Sequence, residues 1–281
     1  MTKTRLAATA TILLGVAAVA TAAPAHTAQA ADVPPAIAAA VNDNPHRTDA
    51  QKARDRYRNP AQTLAFFGIE PGMTVVEPLP GWYTEILGPL LAADGAYIGV
   101  NLPPHAYGSA ERQARVHRWR DSFVASRADL FGPRAHARFL LTEDGFAAPD
   151  SVDAIVAFRS THGWIYRGIA DEVFAEFYRV LKPGGVLGIV QHRDREDSAY
   201  SPYDRRGYLK ESFVIDLVEN AGFKLEAKSE INANPKDTKD YEIGVWALPP
   251  RLRVDDEALK EKHRAIGESD RMTLKFVKPA G

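Results

Sequence analysis

The chain has 281 residues, 45% of them hydrophobic and 25% charged, which is enough for one large α/β domain or two small ones. Its Lys+Arg 35 against Asp+Glu 36 give a formal net charge of -1, so no global field draws it to nucleic acid or to an anionic membrane. With no cysteine, disulfides, thiolate metal sites, iron–sulfur clusters and a cysteine nucleophile are all excluded.

Lys3 and Arg5 precede the apolar stretch ILLGVAAVA, and Ala28-Gln29-Ala30 forms a small-residue processing site. The apolar run is short for a bilayer span and is thinned by Ala and Thr. Residues 1–30 therefore read as a cleavable signal peptide. The mature chain is expected to begin near Ala31 and to work in the periplasm or outside the cell, where a cysteine-free chain cannot mispair.

A helical lead is expected over 31–69. RTDAQKARDRYR (47–58) predicts one helix; a second follows, with Asn59 as its N-cap, Pro60 at its first position and Gly68 at its end. From residue 70 the chain alternates. Strands are predicted at MTVVEPL, AYIGVN, ARFLL, VDAIVAF, GVLGIVQH, KLEAKSEI and RMTLKFV. Helices are predicted at WYTEILGPLLAADG, SAERQARVHRWRDSFVASRADLFG, ADEVFAEFYRVL and YLKESFVIDLVENAG. LKPGG is expected to end a helix and reverse the chain, with Lys182 at the helix end. Residues 232–270 read as a polar insertion before the last strand. Such alternation means a doubly wound, Rossmann-like, mostly parallel sheet covered on both faces.

Ligands of such sheets bind beyond the carboxyl ends of the strands, where strand order reverses. EPLPGWY, NLPPH, FRSTHGW and HRDRED lie there. In the first, Glu77 can orient a polar ligand between Trp82 and Tyr83; the plainer alternative is a turn stiffened by proline, with its aromatics in the core. Arg159 and His162 suit a carboxylate or phosphate, or a general acid–base pair. His192 ends the next strand on the same rim, and these three are the candidate catalytic residues. Two histidines without a third ligand define no metal site. His105 is a further rim residue, and Tyr200, Tyr203 and Tyr208 form a candidate lid.

The order VVE…G, GVN, DAIVAFRSTHGW, RVLKPGGVLGIVQHR and ENAGFKL resembles class I S-adenosylmethionine-dependent methyltransferases. RNPAQTLAFFG, FRSTH, QHR and RMTLKFVKP are similar to segments of the exported, predicted-methyltransferase group within them. The resemblance implies a seven-stranded sheet with an antiparallel last strand. It makes the loop after the first strand an adenosylmethionine loop, with Glu77, Pro80, Gly81, Trp82, Tyr83, Asn101 and Phe158 as expected cofactor-binding residues. Only Gly81 remains of the glycines such loops carry, and Asn101 stands where a carboxylate usually holds the ribose. The function implied is methyl transfer from adenosylmethionine to a small molecule, with no nucleic-acid partner and no membrane association after signal cleavage. Two alternatives fit the same residues: an exported lyase, isomerase or hydrolase using the His/Arg rim without the cofactor, and a non-catalytic small-ligand-binding protein.

Overall fold

The computed structural model describes residues 26–27 and 32–280. The signal-peptide expectation for residues 1–30 falls outside the described residues except at His26–Thr27.

Ahead of the main sheet run α1 (Pro35–Asn42), α2 (Asp49–Lys52), α3 (Asp55–Arg58) and α4 (Pro60–Phe67). The single helix expected over 47–58 is two. Thr48 and Gln51 cap the start of α2 reciprocally, and the chain turns at Ala53–Arg54 before α3 begins. Asn59 is not a side-chain cap. It adopts a left-handed backbone (φ 39°) between α3 and α4, and its amide donates to Ile231 O at 2.6 Å. Gly68 ends α4 at φ 73°, as expected.

The strands are β1 (His26–Thr27), β2 (Thr74–Pro78), β3 (Ala96–Asn101), β4 (Ala135–Phe139), β5 (Val152–Phe158), β6 (Leu181–His192), β7 (Lys224–Ser229) and β8 (Arg271–Val277). They lie in the order β1-β7-β8-β6-β5-β2-β3-β4. β8 runs antiparallel to both β6 and β7, and every other pairing is parallel. The seven longer strands make the expected sheet, with the two-residue β1 at its edge. LKPGG departs from expectation: Leu181 already pairs with Val152, so β6 begins there and its register shifts before Val186 meets Ala154. Lys182 consequently pairs with Asp153 at 2.6 Å and not with a helix end.

Connecting helices are α5 (Thr84–Leu91), α6 (Ala110–Ser122), α7 (Thr161–Ile165), α8 (Ala170–Val180), α9 (Glu211–Asn220) and α10 (Glu257–Ile266). Strand alternation sorts side chains between two cores. Ile155 and Ala157 of β5 face one, with Phe174 and Phe177 of α8 and Val214 of α9. Ala154 and Val156 face the other, with Leu64 and Phe67 of α4 and Ile86 of α5. Each fully buried large side chain there contributes about 1.5–3 kcal/mol. Gly188 is required where α4 crosses β6, because a Cβ there would stand 2.6 Å from the Phe67 ring. No helix among the described residues is long and apolar enough to cross a membrane.

β2 is flanked by β3 on one side and β5 on the other, so the chain reverses its winding there. That fixes the place to look for a ligand.

Candidate functional site

Beside this switch point lies a cavity of about 580 Å³. Arg54 and Arg58 reach it from the lead, Trp82 from the loop after β2, Phe158 and Arg159 from the end of β5 and the residue after it, and His162 from α7. His192 closes β6; Ser269 and Arg271 come from the start of β8. The outer wall is Val245, Trp246 and Pro249–Arg251. Five arginines thus line the cavity, and among the described residues no Asp or Glu does.

The single carboxylate nearby is Glu268, 2% exposed and set behind the wall. Arg54 Nε donates to it at 2.7 Å and Arg58 Nε at 3.1 Å, and Arg271 Nη2 also bonds it. Burial pushes its carboxyl up, but Arg271, Arg58 and Arg54 overcome that and hold it down at about 2. One negative charge therefore serves three guanidinium groups. Both Arg58 Nη atoms and Arg271 Nε lack a hydrogen-bond partner among the described residues. Arg58 does lie 4.7 Å from the centroid of the Trp82 ring. Arg159 has no acidic partner among the described residues either. Burial lowers its pKa, and so do the charges of Arg58 and Arg271. Unpaired buried cations are expensive, and a bound anion would relieve them.

The two imidazoles have centroids 5.7 Å apart. Burial pulls His162 down to about 4; a contact from its Nδ1 to Gln191 Oε1 (3.3 Å) opposes this, and Arg159 and Arg167 reinforce it. Burial, His162 and Arg271 likewise hold His192 well below its ordinary value. Both rings are neutral near pH 7, so each can accept one proton and donate another. His192 Nδ1 lies 2.5 Å from Ser269 Oγ.

The three candidate catalytic residues are therefore brought together, and Trp82 and Phe158 join them. The remaining expected cofactor residues are elsewhere. Glu77 is 3% exposed, and its carboxylate accepts from Tyr97 OH (2.7 Å), Thr84 Oγ1 (2.6 Å) and Gly81 N–H (3.2 Å). Tyr83 is buried behind the cavity, stacked on Phe158 at 3.5 Å and donating to Arg58 O. Pro80 covers β3: a Cβ on Gly99 would meet its Cγ at 2.8 Å. Asn101 accepts from Leu102 N–H and from Tyr107 OH, each at 2.8 Å. His105 lines a separate cavity of about 330 Å³ with Leu102 and Arg167. The tyrosine lid is not borne out: Tyr200 and Tyr203 are exposed away from the cavity, and Tyr208 is buried against Asp237. No group of three metal-ligating side chains occurs among the described residues.

Sequence reasoning missed Arg58, Arg271, Ser269 and Trp246. Arg58 falls in the segment expected to be part of the helical lead, and the others lie in or next to the segment expected to be a polar insertion. That segment carries a buried apolar turn at Gly244–Ala247, which VWAL could have signalled.

No family model matches the chain. A sterol 24-C-methyltransferase of Yarrowia lipolytica is 27% identical over 114 residues; the match spans 35% of this chain and 29% of that relative. Among solved structures, the [4+2]-cyclase SpnF superimposes with a TM-score of 0.52 at 17% identity, covering 85% of this chain and 86% of its own. A SAM-dependent methyltransferase from Aquifex aeolicus gives a TM-score of 0.47 at 20% identity, over 64% and 87%. Strand order and this likeness together make the fold the Rossmann-like class I methyltransferase type.

As folded, several of the residues expected to hold adenosylmethionine are engaged within the protein. The Tyr107 hydroxyl takes the Asn101 oxygen that a ribose hydroxyl would need, Pro80 lies over Gly99, and Glu77 is occupied by three internal donors. Five arginines unopposed by a lining carboxylate also repel a sulfonium cation.

Proposed function

We propose that this protein is an exported enzyme of the class I methyltransferase fold that acts on a small anionic molecule by acid–base chemistry in the Arg/His cavity. One observation carries the reading: five arginines, Arg58 and Arg271 among them with unsatisfied buried nitrogens, converge with two neutral histidines on a cavity that no carboxylate lines among the described residues. Arg58, Arg159 and Arg271 hold the anionic group and fix its orientation. Trp82 and Trp246 pack against its body. His162 and His192, uncharged at neutral pH, remove and return a proton without first having to lose one. The signal-like pattern of residues 1–30 is consistent with the reading, because the chemistry asks for no cytosolic cofactor.

The second reading is methyl transfer from adenosylmethionine to a small acceptor. It is favoured by the partial match to the sterol methyltransferase and by the cavity's place beside the loop after β2. It requires Leu79, Pro80 and Tyr107 to withdraw from the crevice, and the Arg/His cavity then receives the acceptor.

Calorimetric titration with adenosylmethionine, adenosylhomocysteine, succinate and inorganic phosphate separates the two. Binding of the anions without the adenosyl compounds is the expected result. Micromolar binding of adenosylhomocysteine would move methyl transfer to first place.

A further inference from the structure

Ser269 lines the cavity beside His192, and both are nearly closed off, at 4% and 7% exposure. Their contact is short, 2.5 Å between Oγ and Nδ1. The serine is held from both sides. Glu268 is fixed by its three arginines, while the Asp270 N–H donates to Asp237 at 2.8 Å and the Asp270 side chain bonds Arg193. A hydroxyl so placed on an immobilised backbone, next to a base and facing cations, has the parts of an activated nucleophile. Arg271, whose Nε has no partner among the described residues, and Arg159 are two of the positive groups at the same cavity. They can meet negative charge as it develops on an oxygen.

We propose that Ser269 is a nucleophile and that the site hydrolyses carboxylic esters of anionic acids. Ser269 Oγ adds to the acyl carbon while its proton passes to His192 Nδ1. The C–O bond to the alcohol then breaks, and the alcohol leaves with that proton. Water attacks the acyl-serine in turn, giving one proton to His192, which returns it to Oγ as the acid departs. Every atom comes from ester and water, with no oxidant or cofactor. The inference rests on the anionic-substrate reading of the cavity and is independent of adenosylmethionine. A serine that only orients the imidazole would make the same hydrogen bond but would never be acylated.

The test is stopped-flow mixing of the protein with mono(4-nitrophenyl) succinate, followed by mass analysis of the quenched chain. The expected result is a burst of about one equivalent of 4-nitrophenolate with a succinyl group on the Ser269 peptide. Ser269→Ala abolishes the burst, and His192→Gln slows it about 100-fold. No adduct on the folded protein, or a burst that survives in Ser269→Ala, overturns the proposal. Because the chain has no cysteine, Ser269→Cys provides a second measurement. Anionic iodoacetate should alkylate that one thiol at least tenfold faster than it alkylates a free cysteine in the unfolded variant, whereas equal rates count against activation. Succinate titration of Ser269→Ala keeps the two readings apart: binding there with no burst in the parent removes the nucleophile alone, and no binding removes the anionic-substrate reading as well.

Discussion

Tyr107 donates its hydroxyl to Asn101 Oδ1 at 2.8 Å, so the amide oxygen of the residue that ends β3 is satisfied from within the protein. Pro80 lies over Gly99 of the same strand. Both contacts can be removed by design. The triple variant Leu79→Gly, Pro80→Gly, Tyr107→Phe removes the crowding and frees the Asn101 oxygen. It is expected to bind adenosylhomocysteine at least tenfold more tightly than the parent, about 1.4 kcal/mol, in a calorimetric titration. Equal affinities would mean that something other than these side chains excludes the nucleoside.

Arg159 sits at φ 56°, a left-handed backbone that an L-residue adopts only at some expense, and the like charges of Arg58, Arg271 and Arg54 surround it against the one carboxylate of Glu268. Arg159→Gly relieves both strains. Stability in urea should rise by about 1 kcal/mol, while succinate affinity falls at least tenfold. A variant that lost stability would show that Arg159 holds the fold and not a ligand.

Glu268→Gln leaves Arg54, Arg58 and Arg271 without their shared charge. Removing one partner of a buried cluster of this kind costs about 3–5 kcal/mol, read from the shift in the urea midpoint. The pH dependence has the same origin. The carboxyl is depressed to about 2 in the folded chain, so its contribution is present above the ordinary carboxylate range and disappears as pH falls toward about 2. Glu268→Gln should flatten the acid limb of the stability curve.

His162 titrates in the opposite chemical sense with the same slope. Held near 4 when folded, it is neutral where the unfolded chain already binds a proton, so stability declines as pH drops from about 6.5 to about 4. Its ring resonances in a proton NMR titration should stay those of neutral imidazole at pH 5.5. An inflection near 6.5 would refute the buried, desolvated placement.

Much of the sheet could be read from the chain because β3, β5 and β8 are apolar runs with abrupt ends, and their bounds match the predicted segments. The break between α2 and α3 carries no Gly or Pro to announce it, and α7 is too short for a periodicity to register. For the site, Arg159, His162 and His192 were legible because the first two follow β5 and the third ends β6, at the edge where ligands gather. Ser269 was not: it lies 77 residues from its partner and inside a stretch whose charges, such as those of Asp237, Lys239 and Asp270, bind one another. Residue type showed polarity there, whereas pairing decides whether polar groups face water or each other.

The arginines around Glu268 come from two distant parts of the chain, Arg54 and Arg58 on one side and Arg271 on the other, more than 200 residues apart. A polypeptide emerging from a ribosome or a translocation channel exposes its amino-terminal portion first. Arg54 and Arg58 must therefore wait, hydrated and without their counterion, until Glu268 and β8 have appeared. β8 also joins β6 to β7, so the anion site and that side of the sheet are completed in the same step.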